Sequence, residues 1–190
     1  MLSRLVLRYH RLIGLVAVLP VVLWGLSGLA HPILTRLQPQ PAAMMPPPAL
    51  LAPVPAAARA GLPPLSALLG AEGIARIENA RLMMWEGRAV WQLTLPSAPE
   101  RRYVDANSGA VLEGVDRALA IVLARHYSGE ATRPIASATL VSQFSDDYLY
   151  VNRLLPVWRV EFAGGDRLRA YVETSPLRLA TLDNTLKSGF

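Results

Sequence analysis

The 190 residues suffice for one membrane segment and one modest folded domain. The net charge of +5 is carried almost entirely by arginines that do not cluster with interleaved aromatics, which argues against a nucleic-acid partner. The absence of cysteine excludes disulfides, thiolate metal sites, iron–sulfur clusters and a thiol nucleophile.

Between Arg11 and Arg36 the chain carries no Asp, Glu, Lys or Arg. The run LIGLVAVLPVVLWGLSGLAHPILT predicts a helix of roughly 36 Å, enough to cross a hydrocarbon core of about 30 Å with tilt. Arg4, Arg8 and Arg11 precede it and only Arg36 follows closely. That bias puts the N-terminus in the cytoplasm and later residues outside, which in a bacterium is the periplasm. The reading is an inner-membrane anchor over residues 1–36. A cleaved signal peptide competes with it, because Gly28-Leu29-Ala30 has the small residues of a cleavage site. No later stretch is apolar enough to cross.

Steps of four and three from His10 pass through Gly14, Ala17, Val21, Trp24/Gly25, Gly28 and His31. This is one slowly drifting face, mostly small, with a histidine at each end. Small faces allow close approach of another helix or of a flat macrocycle, and histidine is a common axial ligand of haem iron. The two histidines stand ~31 Å apart along the axis and would serve two separate sites. The plainer alternative makes His10 an interfacial anchor and His31, before Pro32, a cap of the outer end. A bis-histidine haem would need a second helix, hence another membrane subunit or a homodimer.

Residues 37–64 hold nine prolines among alanines and leucines and predict a semi-rigid spacer. Leu65–Leu69 then reads as a short helix. Strands are predicted over Ala75–Trp85 and Arg88–Leu95 around a turn at Glu86-Gly87, and over Arg102–Val104 and Ala110–Leu112 around Asp105-Ala-Asn-Ser-Gly109. Val115–His126 reads as a helix with Leu119, Val122, Leu123 and His126 on one face, ended by Ser128-Gly129. Further strands are predicted over Ile135–Phe144, Tyr148–Val151, Val157–Phe162, Arg167–Glu173 and Leu177–Leu182. A weak repeat sets Val90-Trp91…Tyr103-Val104-Asp105 beside Val157-Trp158…Tyr171-Val172-Glu173. The expected fold class is α+β: one transmembrane helix, then two antiparallel sheet-plus-helix units over 65–128 and 129–190.

The other chemistry is sparse. His126, at a helix C-terminus, reads as a cap or packing residue. Asp146-Asp147 reads as a solvated turn, with a weak cation site as the alternative. Trp85, Trp91 and Trp158 read as sheet-face packing. No phosphate loop, dinucleotide fingerprint, nucleophile elbow or histidine pair at metal spacing occurs, so no catalytic residue is assigned.

The chain resembles the PepSY-associated transmembrane family of bacterial inner-membrane proteins. The matching pieces are Tyr9-His10-Arg11 with Gly14, Trp24-Gly25-Leu26-Ser27-Gly28, Tyr103-Val-Asp-Ala-Asn-Ser-Gly-Ala-Val-Leu, Arg125-His126-Tyr127-Ser128-Gly129, and Leu155-Pro-Val-Trp-Arg-Val160 running on to Arg169-Ala-Tyr-Val-Glu-Thr. The resemblance implies periplasmic PepSY-like units that bind and inhibit peptidases or regulate local protease activity. It also implies kinship with iron-uptake proteins and ferric-siderophore reductases, whose span histidines bind haem b. By motif match only His10 and His31 carry that role here. Arg133, Arg153, Arg159, Arg167 and Arg169 are then either solvated or contacts for anionic siderophores and lipid headgroups. Relatives usually continue into further spans, where this chain runs to Leu186-Lys-Ser-Gly-Phe190. The expectation is therefore a binding or regulatory module with a periplasmic protein or peptide partner. Its alternative is a haem b electron-transfer subunit, or a truncated remnant of a reductase.

Overall fold

The apolar run folds as one helix, α1 (Leu2–Leu37), in a computed structural model that describes residues 2–71, 73–74 and 76–185. Its stretch Tyr9–Ile33 is long and apolar enough to cross a membrane, with mean hydropathy 2.3. Every side chain of that stretch is exposed. His31 does not cap the helix, because α1 continues through Pro32 to Leu37. Pro32 removes only the amide that would reach the Gly28 carbonyl, and the Thr35 hydroxyl donates to the His31 carbonyl at 2.9 Å. The expectations placed on Ala75 and on residues 186–190 lie outside the described residues.

A second compact unit begins at Pro39. Its first layer is an antiparallel sheet of β1 (Asn79–Trp85), β2 (Arg88–Thr94) and β3 (Arg102–Asp105), in that order. The β1–β2 hairpin closes on Glu86 and Gly87, with φ of 47° and 79°. Two successive positive φ values match the twist of a two-residue hairpin. Helix α5 (Val115–Ser128) follows, and Gly129, at φ 76°, ends it by donating to the Arg125 carbonyl. A four-stranded antiparallel meander completes the unit: β4 (Ile135–Val141), β5 (Val157–Phe162), β6 (Arg169–Glu173) and β7 (Arg178–Asp183). The fold is thus α+β, with an N-terminal apolar helix and two antiparallel sheets.

One hydrophobic core serves both sheets. It joins Met83, Val90 and Tyr103 of the first to Val160, Phe162, Ala170 and Val172 of the second through Leu119, Ala120, Leu123 and Ala124 of α5. The helix packs chiefly on β4–β7 and touches β3. Its buried stripe is Asp116, Leu119, Ala120, Leu123, Ala124 and Tyr127, whereas Val122 is exposed. The predicted face was rotated, since the stripe of small alanines carries the helix against the sheet and leaves Val122 at its margin.

Two predicted strands are absent. Residues 110–112 contribute a single bridge, Val111 to Val104. Residues 148–151 form a tight Ser145–Tyr148 bridge and then a 3-10 turn at Tyr150–Asn152. Tyr148 instead stacks on Tyr171, with ring centroids 4.6 Å apart.

The proline-rich stretch is not a free spacer. It forms short helices α2 (Pro48–Leu51) and α3 (Ala56–Arg59) and lies as a belt within the second unit. Leu50 and Val54 are buried, Leu50 in the main core and Val54 against Ala89 and Ala106. The Ala42 amide donates to the Tyr127 carbonyl at 2.8 Å, and Arg81 donates to the Leu50 carbonyl at 2.9 Å. Proline fixes φ and so lowers the entropy lost when such a strap orders. The short helix α4 (Leu65–Ala71) follows, with Leu68 set against the Asp105–Gly109 turn. There Gly109 holds φ 79°, and a Cβ would lie 3.1 Å from Leu68 Cδ2. The turn is built as expected: the Asp105 carboxylate accepts the amides of Asn107 and Ser108. Those bonds, the Ser108 amide foremost, hold its pKa below the ordinary value.

The internal repeat holds at the level of register. Trp91 pairs with Val104 and Gln92 with Tyr103, as Trp158 pairs with Val172 and Arg159 with Tyr171. The faces are opposite, however. Tyr103 points into the shared core, whereas Tyr171 joins the separate cluster of Tyr148 and Val157.

Candidate functional site

The residues singled out on α1 are Gly14, Ala17, Trp24, Gly25 and Gly28, with His10 and His31 at the ends. All seven are exposed, Trp24 at 81%. A Cβ added at Gly14, Gly25 or Gly28 would meet no atom within 4 Å among the described residues. Among the described residues α1 is the one helix that meets the membrane-crossing criteria. Two imidazoles ~31 Å apart on one helix cannot ligate the same iron. The residues present therefore do not complete a bis-histidine haem site within a single chain.

The structure brings together a polar centre that sequence reasoning missed. Asp116, in the first turn of α5, is 2% exposed. Its Oδ2 accepts the Trp158 indole N–H at 2.7 Å and the Arg101 amide at 3.2 Å. Its Oδ1 accepts the Tyr103 hydroxyl at 3.0 Å. The Tyr103 oxygen in turn accepts from Gln92 Nε2 at 2.6 Å, and the same nitrogen donates to the Thr174 carbonyl at 3.0 Å. One carboxylate thus ties β3, α5 and β5, and Gln92 extends the chain to the β6–β7 turn. Burial, then the adjacent Asp116 charge, pushes the Tyr103 pKa far up, so the phenol stays a donor. The signal was present in sequence: Asp116 shares a helical stripe with Leu119, Leu123 and Tyr127.

Beside this centre is a cleft of about 140 Å³ lined by Glu100, Glu113, Tyr103 and Asp116. Burial first, and then the charges of Asp116 and Glu113, raises the Glu100 pKa. A raised folded-state pKa stabilises the fold at pH below the unfolded value, and that contribution is lost as pH rises through the folded value. At neutral pH the ionised Glu100 therefore works against folding. Glu100→Gln is expected to raise stability at pH 7 by roughly 0.5 kcal/mol after solvent screening, with the gain vanishing near pH 4. Thermal melts at the two pH values check it, and an equal shift at both would contradict it. The carboxylates along the cleft do not converge into a group that could hold a metal ion among the described residues.

Three of the five arginines read as either solvated or anion contacts are paired within the fold. Arg169, 2% exposed, donates to Asp183 at 2.6 Å and to Asp147 at 3.2 Å. Arg159 lies 3.5 Å from the other Asp147 oxygen, and Arg133 pairs with Asp166 and Glu130. Asp147 is consequently an ion-pair partner rather than a bare solvated turn. Arg153 and Arg167 make no ion pair among the described residues. No group of three or more His, Asp or Glu that could hold a metal occurs among them either. His126 donates through Nε2 to the Met45 carbonyl at 2.8 Å, which pins the belt to α5.

Of the expected sheet-face tryptophans, Trp85 and Trp158 are buried, and the Trp91 indole nitrogen is buried with no partner. Trp85 also lines an apolar groove of about 430 Å³ with Leu50, Met84 and Val122, between α2, the β1–β2 hairpin and α5. Such a groove suits another molecule's apolar side chains. No family model, no curated protein and no solved structure matches this chain.

Proposed function

We propose that this chain is a single-pass inner-membrane protein whose part beyond α1 is a periplasmic, PepSY-like module that binds and regulates a protein or peptide partner. One observation carries the reading: a helix with every side chain of its apolar stretch exposed is joined to a separately packed α+β unit. A helix apolar all round is at home in lipid, not in water. The arginines before it and the single Arg36 after it support a cytoplasmic N-terminus. The groove beside Trp85 and Val122, apolar but for Glu86, supports binding of another molecule's apolar side chains.

The test uses the absence of native cysteine. In spheroplasts of a bacterial host, Ser97→Cys is expected to react with a membrane-impermeant maleimide, on a chain that keeps its N-terminus. Labelling only after lysis would overturn the orientation, and a chain starting after Ala30 would replace the anchor with a signal peptide. The same membranes, from haem-replete cells, are expected to lack a b-type absorption band. A band that disappears in His10→Ala or His31→Ala would put electron transfer in place of binding.

A further inference from the structure

Four strand edges bound the two sheets, and three are protected. The β1 edge strand carries the charge of Arg81, whose guanidinium reaches the Leu50 carbonyl of α2 at 2.9 Å. The β3 edge is taken up by residues 110–112, where the Leu112 amide donates to the Tyr103 carbonyl and the Asp105 amide to the Ala110 carbonyl. The β7 edge carries charge at both ends, Arg178 and Asp183, and its Thr181 and Leu182 are engaged.

The β4 edge differs. Like β1, it has no backbone hydrogen bond on its outer side among the described residues, and what sets it apart is its chemistry. From Ile135 to Ser145 there is neither charge nor proline. These are the usual devices that keep a strand from pairing with another chain. A register shift between Ile135 and Ser137 leaves Ser137–Val141 in regular pairing with β5. None of the β4 residues is fully buried.

We propose that β4 is a self-association edge: two copies of this chain pair β4 against β4, antiparallel, about a two-fold axis. The two four-stranded sheets then continue as one. Centred on Thr139, the pairing sets Thr139 against Thr139 and Ser137 against Val141 on one face, and Ala138 against Leu140 on the other. A strand facing its own copy meets its own charges, so a neutral strand is the one that pays no like-charge penalty there. That neutrality favours a second copy over a charged partner. A second feature follows β4 in the chain. Leu149, Tyr150 and Val151 are 57%, 72% and 77% exposed, and Tyr150 packs on Phe144, just past β4, with centroids 5.2 Å apart. These side chains add apolar area that backbone pairing alone lacks. The inference goes beyond the anchored-module reading and stands without it.

In the full chain, Thr139→Cys is expected to form a disulfide-linked dimer on mild oxidation, while Ser97→Cys, exposed between β2 and β3, stays monomeric. Differently tagged copies of the native chain are expected to co-purify. Co-purification of two Thr139→Lys copies is expected to fall about fivefold, the order for like charges directly opposed in a strand pair. Pairing Thr139→Lys with Thr139→Glu is expected to recover it, which also shows that both variants fold. Cross-linking at position 139 no greater than at 97 would overturn the proposal. So would equal co-purification of like and opposite charges, or a position-139 adduct to a different protein.

Discussion

Asp116→Ala is expected to cost about 3–5 kcal/mol, a large share of the 5–15 kcal/mol that holds a typical domain together. The loss is not that of one hydrogen bond. It orphans the Trp158 indole, the Arg101 amide and the Tyr103 hydroxyl, all three on buried residues. Each buried donor left without a partner costs about 1–3 kcal/mol. Asp116→Asn separates charge from geometry. Its oxygen can still face Trp158 and Arg101, but its amide confronts Tyr103, whose hydroxyl then loses its acceptor. A smaller loss of about 1–2 kcal/mol is expected. Urea unfolding of the full chain in detergent, followed by tryptophan emission, measures both. An alanine variant within 1 kcal/mol of the native chain would show that Asp116 is not the tie between the sheets.

Strand identity was legible because alternation and turn chemistry are local. The Glu86-Gly87 hairpin, the Asp105–Gly109 turn, β5 and the Gly129 helix stop all follow from residues within a few positions of each other. The repeat announced two strand pairs with one register, Trp91 on Val104 and Trp158 on Val172. It could not announce which face α5 covers, because a strand pair offers two faces of similar apolar content. That choice is made by partners distant in sequence, and it puts Tyr103 inward and Tyr171 outward. The same limit bears on Asp116, whose place on the buried stripe of α5 was readable but whose partners were not. An acid in a first helical turn reads as a dipole partner, and its burial depends on Trp158 arriving from the other sheet. On α1 the reverse holds: pattern and charge by themselves describe the long apolar helix.

The belt sets the boundary of the folded unit, and cutting there decides whether the chain is modular. A fragment of residues 39–190 is expected to fold and stay soluble, since it keeps the whole second unit. A fragment of residues 65–190, which a spacer reading of 37–64 would favour, is expected to be far weaker. It lacks Leu50 and Val54, worth together about 3–6 kcal/mol of buried surface, and uncovers Ala89, Ala106 and part of the α5 core. It also strips the Tyr127 and Arg81 partners and the Met45 carbonyl that holds His126. Against this stands the entropy recovered when the strap is removed, ordinarily about 1–2 kcal/mol per residue. Nine prolines reduce that term, because their φ is restricted before folding. A few buried side chains are then enough to hold a long segment down. Thermal unfolding of the two fragments checks the balance. Equal midpoints would mean that the prolines serve reach, as a spacer does, and that Leu50 and Val54 are incidental to the core.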